Sequence, residues 1–172
     1  VNTDPAMALG TTLVSPLEMT QAYAAFANGG NRVSTYGIER IRSGGQVIYR
    51  RAPVRPVPAI ANPALGDINR MMRAVMVAGT GTRAAIPGYD LAGKTGTTSD
   101  YKDAWFVGFS PDLVVGTYIG YDTPRSMGKG ETGGAIAAPI FRDFMKLALA
   151  SKPAVPFRQP PGIKLVRINP KT

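Results

Sequence analysis

Apolar positions along the chain change period several times, and each change marks an element. Ser15-Pro16-Leu17-Glu18 is a capping box with Pro at the first helical position. It predicts a helix to about Asn28 that stops at Gly29-Gly30, with Met19, Tyr23 and Phe26 on its buried face. The run YGIERIRSGGQVIYRR reads as a hairpin turning at Ser43-Gly44-Gly45-Gln46. Pro53, Pro56, Pro58 and Pro63 punctuate an extended connector. A second helix starts at Asn62-Pro63, carries Leu65, Ile68, Met72, Val75 and Met76 at helical spacing, and ends at Gly79.

Three strand-like runs follow: LAGKTGT, DAWFVGF and LVVGTYIGY. Their links are too short for helical crossovers, so an antiparallel meander is expected. The loop MGKGETGG leads to a last helix near Pro139 to Ala150, whose apolar face would carry Ile140, Phe141, Phe144, Met145 and Ala148. The tail PFRQPPGIKLVRINP is expected to add an edge strand. The sum is an α+β fold, an antiparallel sheet flanked by helices, with residues 1–150 as the body and 151–172 as a Pro-rich extension.

Composition narrows the chemistry. The 172 residues contain no His and no Cys, so a Ser-His-Asp triad, a Cys nucleophile and a thiolate metal site cannot be built from them. Acid–base work would fall to Lys, Tyr, Asp or Glu. The opening VNTDPAMALG has neither an initiator Met nor a signal-like apolar segment, and we expect an internal piece of a longer protein. Net charge is +9, and residues 32–55 hold six Arg against one Glu. No aromatic-interleaved basic motif accompanies them, so a general attraction to anionic surfaces is expected rather than nucleic-acid binding.

Two phosphate-type patterns compete for attention. Residues 88–95, GYDLAGKT, match GxxxxGK[ST] letter for letter. A phosphate loop needs a buried strand before it and a helix opening at its end. Pro87 precedes Gly88, and Gly96-Thr97-Thr98 follows Thr95, so both flanks disagree. GTGTRA at 79–84 matches a dinucleotide fingerprint but follows a helix instead of a strand. Placed on a strand, AGKTGT has another meaning. Thr95 and Thr97 share one face, Gly93 and Gly96 admit a second backbone, and Lys94 supplies a positive charge. That set suits an extended peptide ending in a carboxylate.

The surroundings of this KTG triplet sharpen the reading. ALGTTLVSPLEMTQAYAAFANGG, GTGTRAAIPGYDLAGKTGTTSDYKDAWFVGFSPDLVVGTYIGYD and GETGGAIAAPIFRDFM occur in that order. Together they resemble the C-terminal half of the transpeptidase domain of class A (bifunctional) penicillin-binding proteins, in the serine D,D-transpeptidase and β-lactamase-like superfamily. The resemblance implies that Lys94 holds the carboxylate of a D-Ala-D-Ala stem peptide or of a β-lactam. It implies Thr95 and Thr97 hydroxyls as carboxylate partners, the Thr97 N–H as an oxyanion donor, and Gly96 as the residue that keeps the strand open. Thr98, Tyr101 and Trp105 would line or support the cleft; Trp105 also reads simply as a core aromatic. The implied chemistry is acyl transfer through a serine ester, with no metal or organic cofactor. The parent would be periplasmic or extracytoplasmic, anchored in the cytoplasmic membrane by a segment absent here.

The resemblance also implies two upstream motifs that this chain lacks. S-x-x-K occurs as Ser99-Asp100-Tyr101-Lys102 and Ser126-Met127-Gly128-Lys129, neither in a plausible buried helix, and S-x-N does not occur. The upstream half of the same domain is therefore an expected partner. This chain alone is expected to be inactive. A phosphate-loop nucleotide-binding protein, a non-catalytic peptide- or glycan-binding module and a β-lactamase of the same superfamily are the alternatives.

Overall fold

The computed structural model describes residue 10 and residues 12–158. The first helix, α1 (Pro16–Ala27), begins with the reciprocal capping box: the Ser15 hydroxyl accepts from Glu18 N–H, and the Glu18 carboxylate accepts from Ser15 N–H at 2.8 Å. These bonds hold the Glu18 carboxyl below its usual range, with the Ser15 backbone the larger cause. After α1 the chain forms a short strand β1 (Asn31–Arg32), a hairpin of β2 (Arg40–Ser43) and β3 (Gln46–Arg50), and β4 (Val57–Pro58), which pairs antiparallel with β1. Gly44 and Gly45 both have positive φ, 54° and 82°, as a tight two-residue hairpin turn requires. The β1–β4 pair lies outside the sequence reading, because two-residue strands carry no period.

Helix α2 (Asn62–Ala78) buries Leu65, Met72 and Met76, three of the residues expected on its inner face. The main sheet then forms from β5 (Ala92–Thr97), β6 (Asp103–Phe109) and β7 (Val114–Gly120), antiparallel in the order β5-β6-β7. The meander is as expected. Central β6 is buried on both faces, which explains its unbroken apolar run.

One sheet face packs on α3 (Ala138–Leu149), which a π-helical turn, Gly133–Ala137, leads into. Phe106, Phe141 and Met145 are fully buried there, and the two Phe rings lie 4.8 Å apart at 57°. Phe109, Ala92 and Met72 form a second core on the other face, with Tyr23 and Phe26 of α1 beside them. Burial raises the Tyr23 phenol above its ordinary range.

Two expectations need correction. On α3, Phe141 and Met145 are buried, but Ile140 and Phe144 are 51% and 52% exposed, and Leu149 takes the inner position instead. The apolar surface of α3 is wider than the sheet that it covers here. The tail is pinned by side chains and is not a strand over residues 151–158; the rest of the expected edge strand lies outside the described residues. Phe157 packs edge-on against Phe109 at 5.5 Å, and its N–H donates to the Asp90 carboxylate at 3.1 Å. Arg73 holds the same carboxylate at 2.7 Å.

Candidate functional site

The strand β5 carries Lys94, Thr95, Gly96 and Thr97 consecutively. Its inner edge pairs with β6, Lys94 opposite Val107 and Gly96 opposite Trp105. Its outer edge has no strand partner among the described residues. The direction of its amides follows from one bond. Thr98 N–H donates to Asp103 O at 3.1 Å, and amide direction alternates along an antiparallel strand. Gly96 and Lys94 therefore aim their N–H groups at β6, whereas Thr95 and Thr97 aim theirs at the open edge. Lys94 reaches that same edge: its Nζ donates to Thr95 O at 2.9 Å. A cation and outward amides thus lie along a single unpaired strand, the arrangement that an extended anionic peptide can add to.

The threonine hydroxyls have partners inside the protein, which the sequence reading missed. Thr97 Oγ1 accepts the Gly133 N–H at 3.1 Å. Its own hydroxyl proton is not used by that bond and remains available to an acceptor. Thr95 Oγ1 lies 2.6 Å from Thr80 Oγ1. Thr80, at the end of α2, and Gly133, at the start of the π-helical turn, are therefore the supports of the strand. Gly133 packs so closely that a Cβ there would collide with the backbone oxygens of Gly96 and Trp105. The doublet Gly133-Gly134 was visible in the sequence, but nothing in its spacing pointed to β5.

Thr98, Tyr101 and Trp105 separate into different positions. Thr98 closes the connection after β5, accepting Asp103 N–H at 2.8 Å through its hydroxyl. Asp100 and Tyr101 both have positive φ, 61° and 55°, a costly conformation for an aromatic residue. Tyr101 is held there from both sides: its N–H donates to Thr98 O at 3.2 Å, and its carbonyl accepts Met127 N–H at 2.9 Å. The strained connection is thereby tied to the loop that precedes α3. Trp105 lies on the opposite sheet face from Thr95 and Thr97, because alternation puts it with Gly96. It packs against Tyr118 at 4.8 Å, and Tyr118 donates its hydroxyl to Asp103 at 2.7 Å. That bond, with burial and nearby negative charge as smaller causes, raises the Tyr118 phenol.

Neither S-x-x-K match has the geometry of a nucleophile site. Ser99 and Lys102 flank a short 3-10 turn interrupted at Asp100, and Lys102 pairs with the exposed Asp100 at 3.5 Å. Ser126 and Lys129 are exposed on a loop. The GYDLAGKT pattern is split by structure: Gly88 sits in a turn, β5 starts at Ala92, and no helix opens at Thr95. Among the described residues no cluster of metal-ligating side chains occurs, and no helix is long and apolar enough to cross a membrane.

Comparison with known proteins identifies the family. The family model described as penicillin binding protein transpeptidase domain matches residues 3–146. Penicillin-binding protein 1A of Neisseria lactamica is 45% identical over 166 residues, covering 91% of this chain but 20% of the relative. The crystal structure of penicillin-binding protein 1A from Haemophilus influenzae superposes with a TM-score of 0.83 at 31% identity, covering 91% of this chain and 29% of that one. The D,D-transpeptidase domain of a peptidoglycan glycosyltransferase from Eggerthella lenta gives a TM-score of 0.67 at 30% identity, over 80% of this chain and 32% of that one. The chain spans about a fifth of the length of the first curated relative. With the match running through β5 and into α3, the chain belongs to the penicillin-binding protein transpeptidase domain family.

Proposed function

We propose that this chain forms the substrate-binding strand of a serine D,D-transpeptidase that cross-links peptidoglycan, and that the nucleophile comes from the upstream half of the same domain. The observation that carries the reading is the open edge of β5, where Lys94 Nζ lies beside Thr95 O and the Thr95 and Thr97 amides point outward. In this reading the donor stem peptide lies along β5 as an added strand. Lys94 holds its terminal D-Ala carboxylate, and the spare protons of the Thr95–Thr80 pair and of Thr97 complete that anion's shell. A β-lactam carboxylate would use the same groups.

Gly96 keeps the strand slim enough for the substrate backbone to approach. Thr98 and the strained Asp100-Tyr101 turn fix the end of the strand, and Trp105 packs against Gly96 on the face away from Thr95 and Thr97. The reaction is acyl transfer. The upstream serine attacks the penultimate D-Ala carbonyl, D-Ala leaves with a proton, and an acceptor amine resolves the serine ester. The Thr97 N–H stabilises the oxyanion of each tetrahedral intermediate. One such donor contributes about 3 kcal/mol in the transition state. Nothing in this sequence of steps calls for a metal or organic cofactor.

The rest of the surface supports an incomplete domain. The outer edge of β7 has no strand partner among the described residues, and Ile140, Phe144 and Leu147 of α3 stand 51%, 52% and 82% exposed. We assign these to contact with the upstream half. The parent is extracytoplasmic and anchored by a segment outside this chain. Acylation of the parent by a fluorescent penicillin tests the assignment. Lys94→Ala should lower the second-order acylation rate about a hundredfold, with Thr97→Val lowering it less, because its amide survives. Unchanged acylation in Lys94→Ala would remove β5 from the site.

A further inference from the structure

The β2–β3 hairpin stands apart from both hydrophobic cores. All nine of its strand residues are exposed, and none belongs to either buried cluster. Yet its composition is not that of an idle surface loop. Arg40 and Arg50 are direct cross-strand partners, and alternation puts Arg42 on their face. Like charges placed opposite one another oppose hairpin formation unless an anion bridges them. Among the described residues, no carboxylate lies in ion-pair range of these three guanidinium groups. Arg51 continues the ladder, its N–H donating to Glu39 O at 2.8 Å, and its guanidinium covers the Tyr36 ring at 3.7 Å. Glu39 is the lone acid among residues 32–55.

The other half of the composition decides the partner. Ile41 and Tyr49 pair across the opposite face and are 41% and 45% exposed. Ile48, the extra residue where the register shifts, is 64% exposed, and Val47 is 44% exposed. A soluble polyanion would need the arginines only. A hairpin that enters an anionic bilayer tip first presents both faces to it: guanidinium groups on one face bind phosphates, and aliphatic and tyrosine side chains on the other enter the headgroup boundary. The small Ser43-Gly44-Gly45-Gln46 tip carries no charge to oppose entry.

We propose that the β2–β3 hairpin is a peripheral membrane-docking element whose tip enters an anionic lipid surface. The test is flotation of the 172-residue chain with vesicles of 30% phosphatidylglycerol in phosphatidylcholine, beside pure phosphatidylcholine vesicles, at two salt concentrations. Binding is expected on the anionic vesicles alone and should weaken with salt. Each basic residue close to such a surface is worth about fivefold in affinity, so Arg40→Gln/Arg42→Gln/Arg50→Gln should bind at least tenfold more weakly. Ile41→Ser/Ile48→Ser should also weaken vesicle binding while leaving any binding to soluble polyglutamate unchanged. The tail variant Lys164→Gln/Arg167→Gln/Lys171→Gln should keep most of the affinity. Circular dichroism verifies folding; if the triple arginine variant melts early, Arg42→Gln alone decides, with a loss of about fivefold. The proposal is overturned by absence of flotation on anionic vesicles or by arginine variants that float like the parent chain. Serine variants that bind vesicles unchanged would also overturn it, because the anion would then be read without a bilayer.

Discussion

The two edges of the main sheet differ in kind. The β5 edge is built largely from Gly and Thr with one Lys, and the Thr80 hydroxyl and the Gly133 backbone N–H brace it from one face. The β7 edge is rich in Val, Ile and Tyr, with α1 packed against the strand. Bracing without capping leaves β5 rigid and open, which is what a strand needs to receive an extended ligand reversibly. The β7 edge offers β-branched side chains for a permanent neighbour. In the proposed function, one edge of the sheet receives substrate and the other meets more protein.

The two edges share a centre. Phe106 is fully buried between the edges and packs on Phe141. Phe106→Ala should cost about 3–5 kcal/mol in denaturant unfolding and loosen both edges together. Glycine substitutions separate them. Gly133→Ala drives a Cβ into backbone oxygens of Gly96 and Trp105, which cannot rotate away, so a loss of about 2–3 kcal/mol is expected. Gly116→Ala on β7 meets the Thr20 hydroxyl of α1, a group that can turn at the expense of its 2.7 Å bond to Pro16 O. Its cost should be nearer 1 kcal/mol. Equal losses would mean that the two edges are braced alike.

The smallest effects lie in protonation. Tyr118 is raised by its bond to Asp103 and is 43% exposed. A raised phenol contributes stability that is complete below its ordinary range, near pH 10, and lost as pH rises through the folded value. Tyr118→Phe should therefore cost a few tenths of a kcal/mol at neutral pH and flatten the alkaline limb of the stability curve. Glu18 behaves in the opposite sense. Its lowered carboxyl contributes above its usual range and loses that contribution as pH falls through the folded value, so α1 should fray first on acidification. Backbone amide exchange of α1 between pH 7 and pH 3 checks this.

Much of this arrangement was legible beforehand, for identifiable reasons. The capping box, the Gly44-Gly45 turn, the inner face of α2 and the meander are local patterns, and local chemistry decides them. That Thr95 and Thr97 share a face was legible because side chains alternate along a strand. What escaped notice depends on contacts distant in sequence: Thr80 against Thr95, Gly133 over Gly96, Phe157 against Phe109. The α3 stripe was misread for a related reason. Periodicity reports which positions are apolar, and Ile140 and Phe144 are apolar without being covered by any described part of the chain. The resemblance puts Trp105 at the cleft with Thr97, and the register separates their faces.

In the proposed function, β5 positions a substrate that another part of the parent attacks. Labelled penicillin offered to the 172-residue chain, alone and then with the upstream half of the domain, tests it most directly. No covalent adduct is expected on the chain alone. With both halves present, an adduct is expected on the upstream half, sharply reduced by Lys94→Ala. A covalent adduct on the isolated chain would contradict the proposed function.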